Sequence, residues 1–419
     1  MESPRQSPWS FNLRHLGAVA AVVNRGSVSA AAGTIHLTQP AVTQAIARVE
    51  ALLAVQLFER RTDGMTPLPP ARALAARVEH ALGLIGSRRV TTAQMRAFLA
   101  VADSGSYAAA AARTGLSQPT LHRALGDLAL ILRRPLVERR GRGIALTEPG
   151  KRTARAFRLA RAELEAGLTE ALGGADSGPA RITIGAMPLS RARVLPMALA
   201  RFNAAHPEVE IIIAEGSYGE LAEPLRDGSM DFMIGAMREP APAPDLEQRA
   251  LFSDQAIALA RAGHPLAAGL PRDREPTLPS LADLARYPWI VPSSGAPLRA
   301  GFEAMFKSAG LNPPIVPIEC GSVMIIREIL MQTDFLTLLS PDQVAVEREA
   351  GWLVSLGRPP GQLARTIGIT TRAQWRPGPA QAAFIAELNR AAAEPFASPY
   401  SMARDQICGP RAAGAKVQA

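Results

Sequence analysis

Hydrophobic positions at helical spacing dominate the first 170 residues, and they come in two similar runs. In the first, Leu16, Val19, Ala20 and Val23 form one stripe, which Asn24-Arg25-Gly26 ends. A second short helix is expected from about Ser27 to Gly33, its alanines allowing another helix to approach closely. After a turn through Leu37, Thr38 caps a third helix, and Pro40 fits the first turn, where N–H groups are unpaired anyway. Val42, Ile46, Val49 and Leu53 give this third helix a buried stripe. The second run repeats the plan with Phe98, Leu99 and Ala102, then Tyr107 to Ala112, then Ser117 as cap and Leu121, Leu125, Leu128 and Leu132 as stripe. An arginine-rich hairpin pattern closes each run, ERRTDGM at 59–65 and ERRGRGI at 138–144.

These runs are copies of one another. Residues 16–64 align without a gap to 95–143 at an offset of 79, pairing Gly26 with Gly105, Gln39 with Gln118, Pro40 with Pro119 and Leu57 with Leu136. Duplication is the economical explanation. The chain then divides into a first module at 12–70, a helical linker at 71–90, a second module at 91–149 and a longer helix at 150–172. Both linking helices are rich in Ala, Leu and Arg and suit pairing with a partner chain. Residues 173–179 read as a hinge.

Beyond the hinge the period changes. Strands are expected at 181–187, 209–215 and 231–237, with helix between them, so this region starts as a parallel βαβαβ unit. Further strands are expected at 254–260, 289–291, 315–319, 335–338 and 366–370, and helices at 297–309, 322–332, 341–349 and 377–392. The tail from 396 to 419 lacks periodicity and is expected to be flexible. The fold class is therefore a mainly α front with tandem winged helix-turn-helix modules, followed by an α/β domain.

Charge sharpens this division. Of the formal +9, residues 1–170 hold 23 Lys/Arg against 12 Asp/Glu, and the remainder holds 23 against 25. A polyanion would feel the front half alone, and counterion release would drive its binding. Charge by itself does not separate DNA from RNA or an anionic membrane. No apolar run reaches the ~18 residues of a membrane span, and the start, MESPRQSPWS, has no secretory core, so a cytoplasmic location is expected. The two cysteines, Cys320 and Cys408, cannot by themselves build a disulfide framework or metal site. Reduced thiols are expected, with redox sensing by Cys320 as the lesser reading, and no cofactor or metal is implied.

The spacing within each module is that of a helix-turn-helix, in which one helix crosses the DNA backbone and the next enters the ~12 Å major groove. The candidate reading surface of the first copy is Thr38, Gln39, Thr43, Gln44 and Arg48. That of the second is Ser117, Gln118, Thr120, His122 and Arg123. Gln addresses adenine bidentately, Arg addresses guanine or phosphate, and short hydroxyls fit close to either. Arg60, Arg61, Arg139, Arg140 and Arg142 in the wings are candidates for phosphate or minor-groove contact. The plainer alternative for each is a solvated face or turn.

SVSAAAGTIHLTQPAVTQAIARVE with LFERR, and GSYAAAAARTGLSQPTLHRAL with LVERRGRGIALTEPG, both resemble the winged helix-turn-helix of LysR-type transcriptional regulators. RITIGAMPLSRARVLPMALARFNAAHPEVEIIIAEG, LRDGSMDFMIGAM, PWIVPSSGAP and SVMIIREILMQTDFLTLLS resemble that family's type 2 periplasmic-binding-protein-like effector domain, nearest to its sugar- and aromatic-compound-responsive members. The resemblance covers roughly 14–395. It implies regulation of transcription through double-stranded DNA, a homodimer or homotetramer, and a small organic effector, aromatic, carboxylate or sugar-like. The effector would lie in a cleft of domain 180–395, between one lobe at 180–255 plus 365–395 and another at 256–364. Ser190, Ser293, Ser294 and Ser322 follow strands and sit near helix starts, where amide N–H groups favour polar oxygens. Tyr218 follows the second strand. These five are the candidate effector contacts, with helix capping as the plain role of the serines. Arg191 and Arg193 are candidates for pairing with a carboxylate, solvated surface being their plainer reading.

Two departures from the family's pattern stand out. The family normally carries one such module, whereas this chain has two. The first wing also ends in MTPLPPARA, placing Pro67, Leu68 and Ala71 where the second copy has Leu146, Thr147 and Gly150. Either copy is therefore a candidate reader of DNA and either a candidate dimerisation surface. No HExxH, GxSxG or P-loop pattern occurs, so an enzyme is not expected. An architectural DNA-binding protein with a vestigial effector domain is the alternative.

Overall fold

A computed structural model describes residues 7–61, 64–141, 143–173, 181–241, 243–271, 275–360 and 363–394. The first module is α1 (Leu13–Arg25), α2 (Val28–Ile35), α3 (Gln39–Leu53) and the hairpin β1 (Phe58–Arg61) with β2 (Gly64–Pro67), followed by α4 (Pro69–Ile85). The second is α5 (Thr92–Ser104), α6 (Tyr107–Thr114), α7 (Gln118–Leu132) and the hairpin β3 (Val137–Arg140) with β4 (Gly143–Leu146), followed by α8 (Glu148–Ala171).

The copies share their capping chemistry. Ser27 and Ser106 accept from the N–H groups of Ala30 and Ala109, while Thr38 and Ser117 accept from those of Ala41 and Thr120. Gly26 and Gly105 end α1 and α5 in the left-handed region, at φ of 73° and 65°, which favours glycine. The expected stripes are buried, apart from half-buried Val23, Ala102 and Leu132.

A single apolar core runs from Phe11 to Ala171, through both modules and both trailing helices. At its centre α4 lies along α8. Arg77 and Leu74 meet Gly167, and His80, one turn further on, faces Glu163, one turn back, so the helices run antiparallel. A Cβ on Gly167 would lie 2.8 Å from the Cβ of Arg77, so glycine permits the approach. The sequence left these helices available to a partner chain, but here their apolar faces cover each other within one chain.

The α/β domain holds two five-stranded sheets. In the first, β5 (Arg181–Ala186) pairs in parallel with β6 (Glu210–Glu215) and β7 (Phe232–Ala236). It is completed antiparallel by β14 (Ala364–Arg372) and β8 (Leu246–Gln255), in the order β6-β5-β7-β14-β8. Helices α9 (Val194–Ala205), α10 (Tyr218–Arg226) and α15 (Pro379–Ala393) belong to this lobe. The second sheet has β10 (Trp289–Val291) parallel to β11 (Ile318–Glu319) and β12 (Leu336–Leu339), with β9 (Ile257–Arg261) and β13 (Leu353–Gly357) antiparallel, in the order β11-β10-β12-β9-β13. Its helices are α11 (Leu281–Leu284), α12 (Pro297–Ser308), α13 (Val323–Gln332) and α14 (Ala345–Glu349).

The chain crosses between lobes at Ala256, where one strand was expected over 254–260 and two are found, and again between β13 and β14. Arg365 grips Asp254 at 2.8 Å beside these crossings. Of the expected hinge at 173–179, only Gly173 lies among the described residues, and the tail at 396–419 lies outside them. Among the described residues no helix is long and apolar enough to cross a membrane.

Candidate nucleic-acid interface and effector cleft

Proline and a hydroxyl cap start α3 and α7 identically, and the inward stripes leave corresponding outer faces exposed. Thr38, Gln39, Gln44 and Arg48 are exposed on the first, with Thr43 half-buried. Gln39 Nε2 donates to Ser29 Oγ at 3.1 Å, tying the start of α3 to α2, and Thr43 Oγ1 donates to Gln39 O. Arg48 lies near enough to His15 that its charge, after burial, helps hold the imidazole pKa below its usual value. Ser117, Gln118, Thr120, His122 and Arg123 are all exposed on α7. The hydroxyls of Ser117 and Thr120 share a hydrogen bond of 2.8 Å.

One contact sets the second face apart. The His122 ring stacks on Tyr107 of α6, with centroids 3.6 Å apart, whereas the first copy has Thr43 and Val28 at these places. Burial raises the Tyr107 phenol pKa. The sequence offered Tyr107 only as the start of a helix; its aromatic character opposite His122 was the available signal.

Arg60, Arg139 and Arg140 are exposed on the wings, Arg61 lies on β1, and Arg142 falls outside the described residues. The wings are anchored differently. In the first copy Glu50 Oε1 accepts from the N–H groups of Leu57 and Phe58, at 2.8 and 3.1 Å. Ala129 replaces Glu50 in the second copy. There Thr147 Oγ1 donates to Pro135 O at 2.7 Å while also capping α8. A Cβ on Gly150 would fall 1.9 Å from Leu136 O, so α8 meets its wing closely enough to require glycine.

In the α/β domain the candidate residues gather beyond the carboxyl ends of parallel strands, where open α/β sheets bind ligands. Ser190 follows β5, Tyr218 follows β6, Ser293 and Ser294 follow β10, and Ser322 follows β11. Pro188 Cγ would lie 3.9 Å from a Cβ on Gly321, so the Ser190 turn and the Ser322 loop approach across the lobes.

The structure also corrects several assigned roles. Ser190 does not begin a long helix; it lies in a 3-10 turn, Pro188–Arg191, almost fully buried, and its hydroxyl donates to Met187 O at 2.8 Å. Ser322 occupies the N-cap of α13 but its hydroxyl makes no capping bond; instead its N–H approaches Cys320 Sγ at 3.4 Å. Ser293 and Ser294 are exposed in the turn before α12. Arg191 and Arg193, read as effector partners or as solvated surface, both engage carboxylates of the protein. Arg191 pairs with Glu215, and Arg193 reaches Asp342 of the other lobe at 2.8 Å.

Sequence reasoning missed Arg238, directly after β7. Its guanidinium lies over the Tyr218 ring, 4.3 Å from the centroid, and reaches Gly295 O of the other lobe at 3.4 Å. Gln248 fixes its backbone through two bonds of 3.0 Å. Among the described residues no carboxylate forms an ion pair with Arg238, whose charge stands at the lobe junction. Burial raises the Tyr218 phenol pKa, against the pull of Arg238 and Arg226. The available signal was position, a basic residue at the end of a parallel strand.

A family model described as LysR substrate binding domain matches residues 175–393. A second, described as bacterial regulatory helix-turn-helix protein, lysR family, matches twice, at 13–72 and 92–151. The HTH-type transcriptional regulator GalR of Pseudomonas putida is 32% identical over 398 residues, covering 91% of this chain and 98% of its own length. What that match leaves uncovered here is shorter than either module, so it extends into both. The SDS degradation transcriptional activation protein of a Pseudomonas species is 33% identical over 287 residues, covering 67% of this chain and 89% of its own.

Among solved structures, ArgP from Mycobacterium tuberculosis has a TM-score of 0.57 at 18% identity, covering 72% of this chain and 96% of its own. A full-length OxyR variant from Pseudomonas aeruginosa has a TM-score of 0.53 at 21% identity, covering 71% and 93%. Both share the fold, and both leave unmatched a stretch of this chain long enough for one further module.

Proposed function

The chain belongs to the LysR family of bacterial regulatory helix-turn-helix proteins, and from that premise we propose that both of its modules read DNA and that its lobe junction binds a small organic carboxylate. As a member of the family it is a DNA-binding transcriptional regulator with a small-molecule effector domain rather than an enzyme, and regulators of this family form oligomers. A role on the genome fits a cytoplasmic location.

The observation that carries the double reading is the recurrence of one exposed, hydroxyl-capped, Gln- and Arg-bearing helix face at α3 and α7. A copy kept only for packing has no need of that outer face. Arg48 and Arg123, with the wing arginines, suit phosphate or guanine, and Gln39, Gln44 and Gln118 suit adenine edges.

Arg238 supports the carboxylate assignment. It joins the lobes through Tyr218 and Gly295, so an anion between Arg238 and the Ser293-Ser294 turn would contact both and favour one lobe arrangement. Differential affinity of that kind is what an effector requires. The Tyr218 ring offers an apolar face to an aromatic carboxylate. Ser190, with its hydroxyl hydrogen engaged, retains an acceptor lone pair.

The test is DNA selection from genomic fragments with the full chain, then footprinting with and without a panel of benzoate-type and aliphatic carboxylates. One or more carboxylates should change the footprint, and Arg238→Ala should keep DNA binding while weakening that response at least tenfold. A footprint indifferent to every ligand, with Arg238→Ala indistinguishable from the parent, favours an architectural protein instead.

A further inference from the structure

The apolar residues of the buried α4 stripe have buried counterparts 79 positions later on α8, among them Leu74 and Thr153, Val78 and Phe157, Ala81 and Ala160, and Ile85 and Leu164. Two antiparallel helices in contact along equivalent stripes are related by a twofold axis. From Leu74 against Gly167, the axis falls where Ala81 meets its own equivalent, Ala160, and both alanines are fully buried. Small residues at that crossing let the backbones approach.

One pair of contacts outside the seam obeys the same operation, although α1 packs along α4 more extensively than α5 does along α8. Asn24 donates to Glu79 at 3.1 Å, and their counterparts Asp103 and Arg158 meet at 2.6 Å. Each module's first helix is thereby tied to its own trailing helix at one register, with the chemistry exchanged. The chain entering α1 meets the start of α5, where Thr92 Oγ1 donates to Phe11 O at 3.1 Å. The core that encloses all of this is continuous.

Resting on the regulatory reading above, we propose that a single chain supplies the whole twofold DNA-reading unit, with α3 and α7 as its two recognition helices. The antiparallel seam is closed within the chain, so its register does not depend on a second copy. Two recognition helices related by a twofold face two half-sites on one side of a duplex, separated by about one helical turn (~10 bp) or a multiple of it. The half-sites are unlike. The α3 face presents Gln44 and Arg48 with Thr43 folded back on its helix, while α7 presents Arg123 and a His122 held by Tyr107. The preferred target is thus a lopsided inverted repeat, read in one orientation by each chain. A symmetric dimer built from one module could not select that orientation.

The seam can be tested apart from DNA. With Cys320→Ser and Cys408→Ser in place, His80→Cys and Glu163→Cys put two thiols where the parent side chains approach to 3.5 Å. A short bis-maleimide added to a mixture of two differently tagged full-length chains should yield mainly internally linked single chains. Chains linked to each other as the main product would overturn the proposal. The unmodified chain supplies the second measurement: native mass spectrometry and footprinting on a duplex cut to the selected target should give two protected half-sites per bound chain. One half-site per chain would also overturn it. A self-linked chain that selects no DNA sinks the regulatory reading and this proposal together, whereas linked pairs of chains on a well-bound duplex sink this proposal alone.

Discussion

Gly150 shows how one missing side chain sets an angle. Its ideal Cβ would lie 1.9 Å from the carbonyl oxygen of Leu136, and a backbone atom cannot move aside as a flexible side chain can. Gly150→Ala should therefore cost about 1–3 kcal/mol, read as a lower urea midpoint, and a loss below about 0.5 kcal/mol would contradict the account. Ala71 at the equivalent place in the first copy is fully buried, so there the trailing helix must leave its wing differently. The wing anchors follow suit, with Glu50 holding the first and Thr147 the second. Residue-scale features with a local cause were readable from sequence, including the Thr38 and Ser117 caps. Those with a distant cause were not. Tyr107 over His122, Arg193 on Asp342 and Arg238 on Tyr218 join positions that nothing local brings together.

At the scale of elements, the seam between α4 and α8 contains one buried charge cluster. Arg77 holds Glu170 at 2.6 Å and Glu163 at 3.2 Å, all three side chains being largely covered. Burial works against the Arg77 charge, but the two carboxylates outweigh it and raise its pKa. Its remaining donors reach the carbonyls of Arg376 and Pro377, on the loop before α15 of the effector domain. Arg77→Met strands two carboxylates in the seam, and a loss of about 3–5 kcal/mol is expected in chemical denaturation. Adding Glu163→Gln and Glu170→Gln to that variant should recover much of the loss, because the stranded charge is then gone. A neutral Arg77→Met would show that water reaches the cluster.

Strong 3.6-residue periods made every helix of the two modules legible, and runs such as ITIG and IIIA made the central strands so. Strand β8 was not read in full because its LEQRALFSDQ pattern is polar, as fits an edge strand bonded only to β14. Helix α10 was expected from the βαβαβ order, but Pro224 within it obscured its bounds. The partnership of α4 with α8 was hidden for another reason: an apolar stripe states that it must be covered, and not by which chain.

At the scale of the molecule, the head and the effector domain meet along α8 as well as through Arg77. Arg158 joins Asp103 of the second module to Asp227 of the first lobe, at 2.6 and 3.2 Å. Beside it Leu159 packs over Gly228, whose φ of 82° favours glycine. The first lobe thus rests on the helix that trails the second module, while Arg77 makes the seam itself part of the contact.

The central claim is that one chain reads DNA twice, and the most direct measurement compares footprints of three full-length proteins on the selected target. These are the parent, a variant with Gln39, Gln44 and Arg48 changed to alanine, and a variant with Gln118, His122 and Arg123 changed to alanine. Each variant should lose protection over a different half of the parent footprint while keeping the other half. If one variant protects the whole footprint unchanged, its altered module is a packing element and the claim fails.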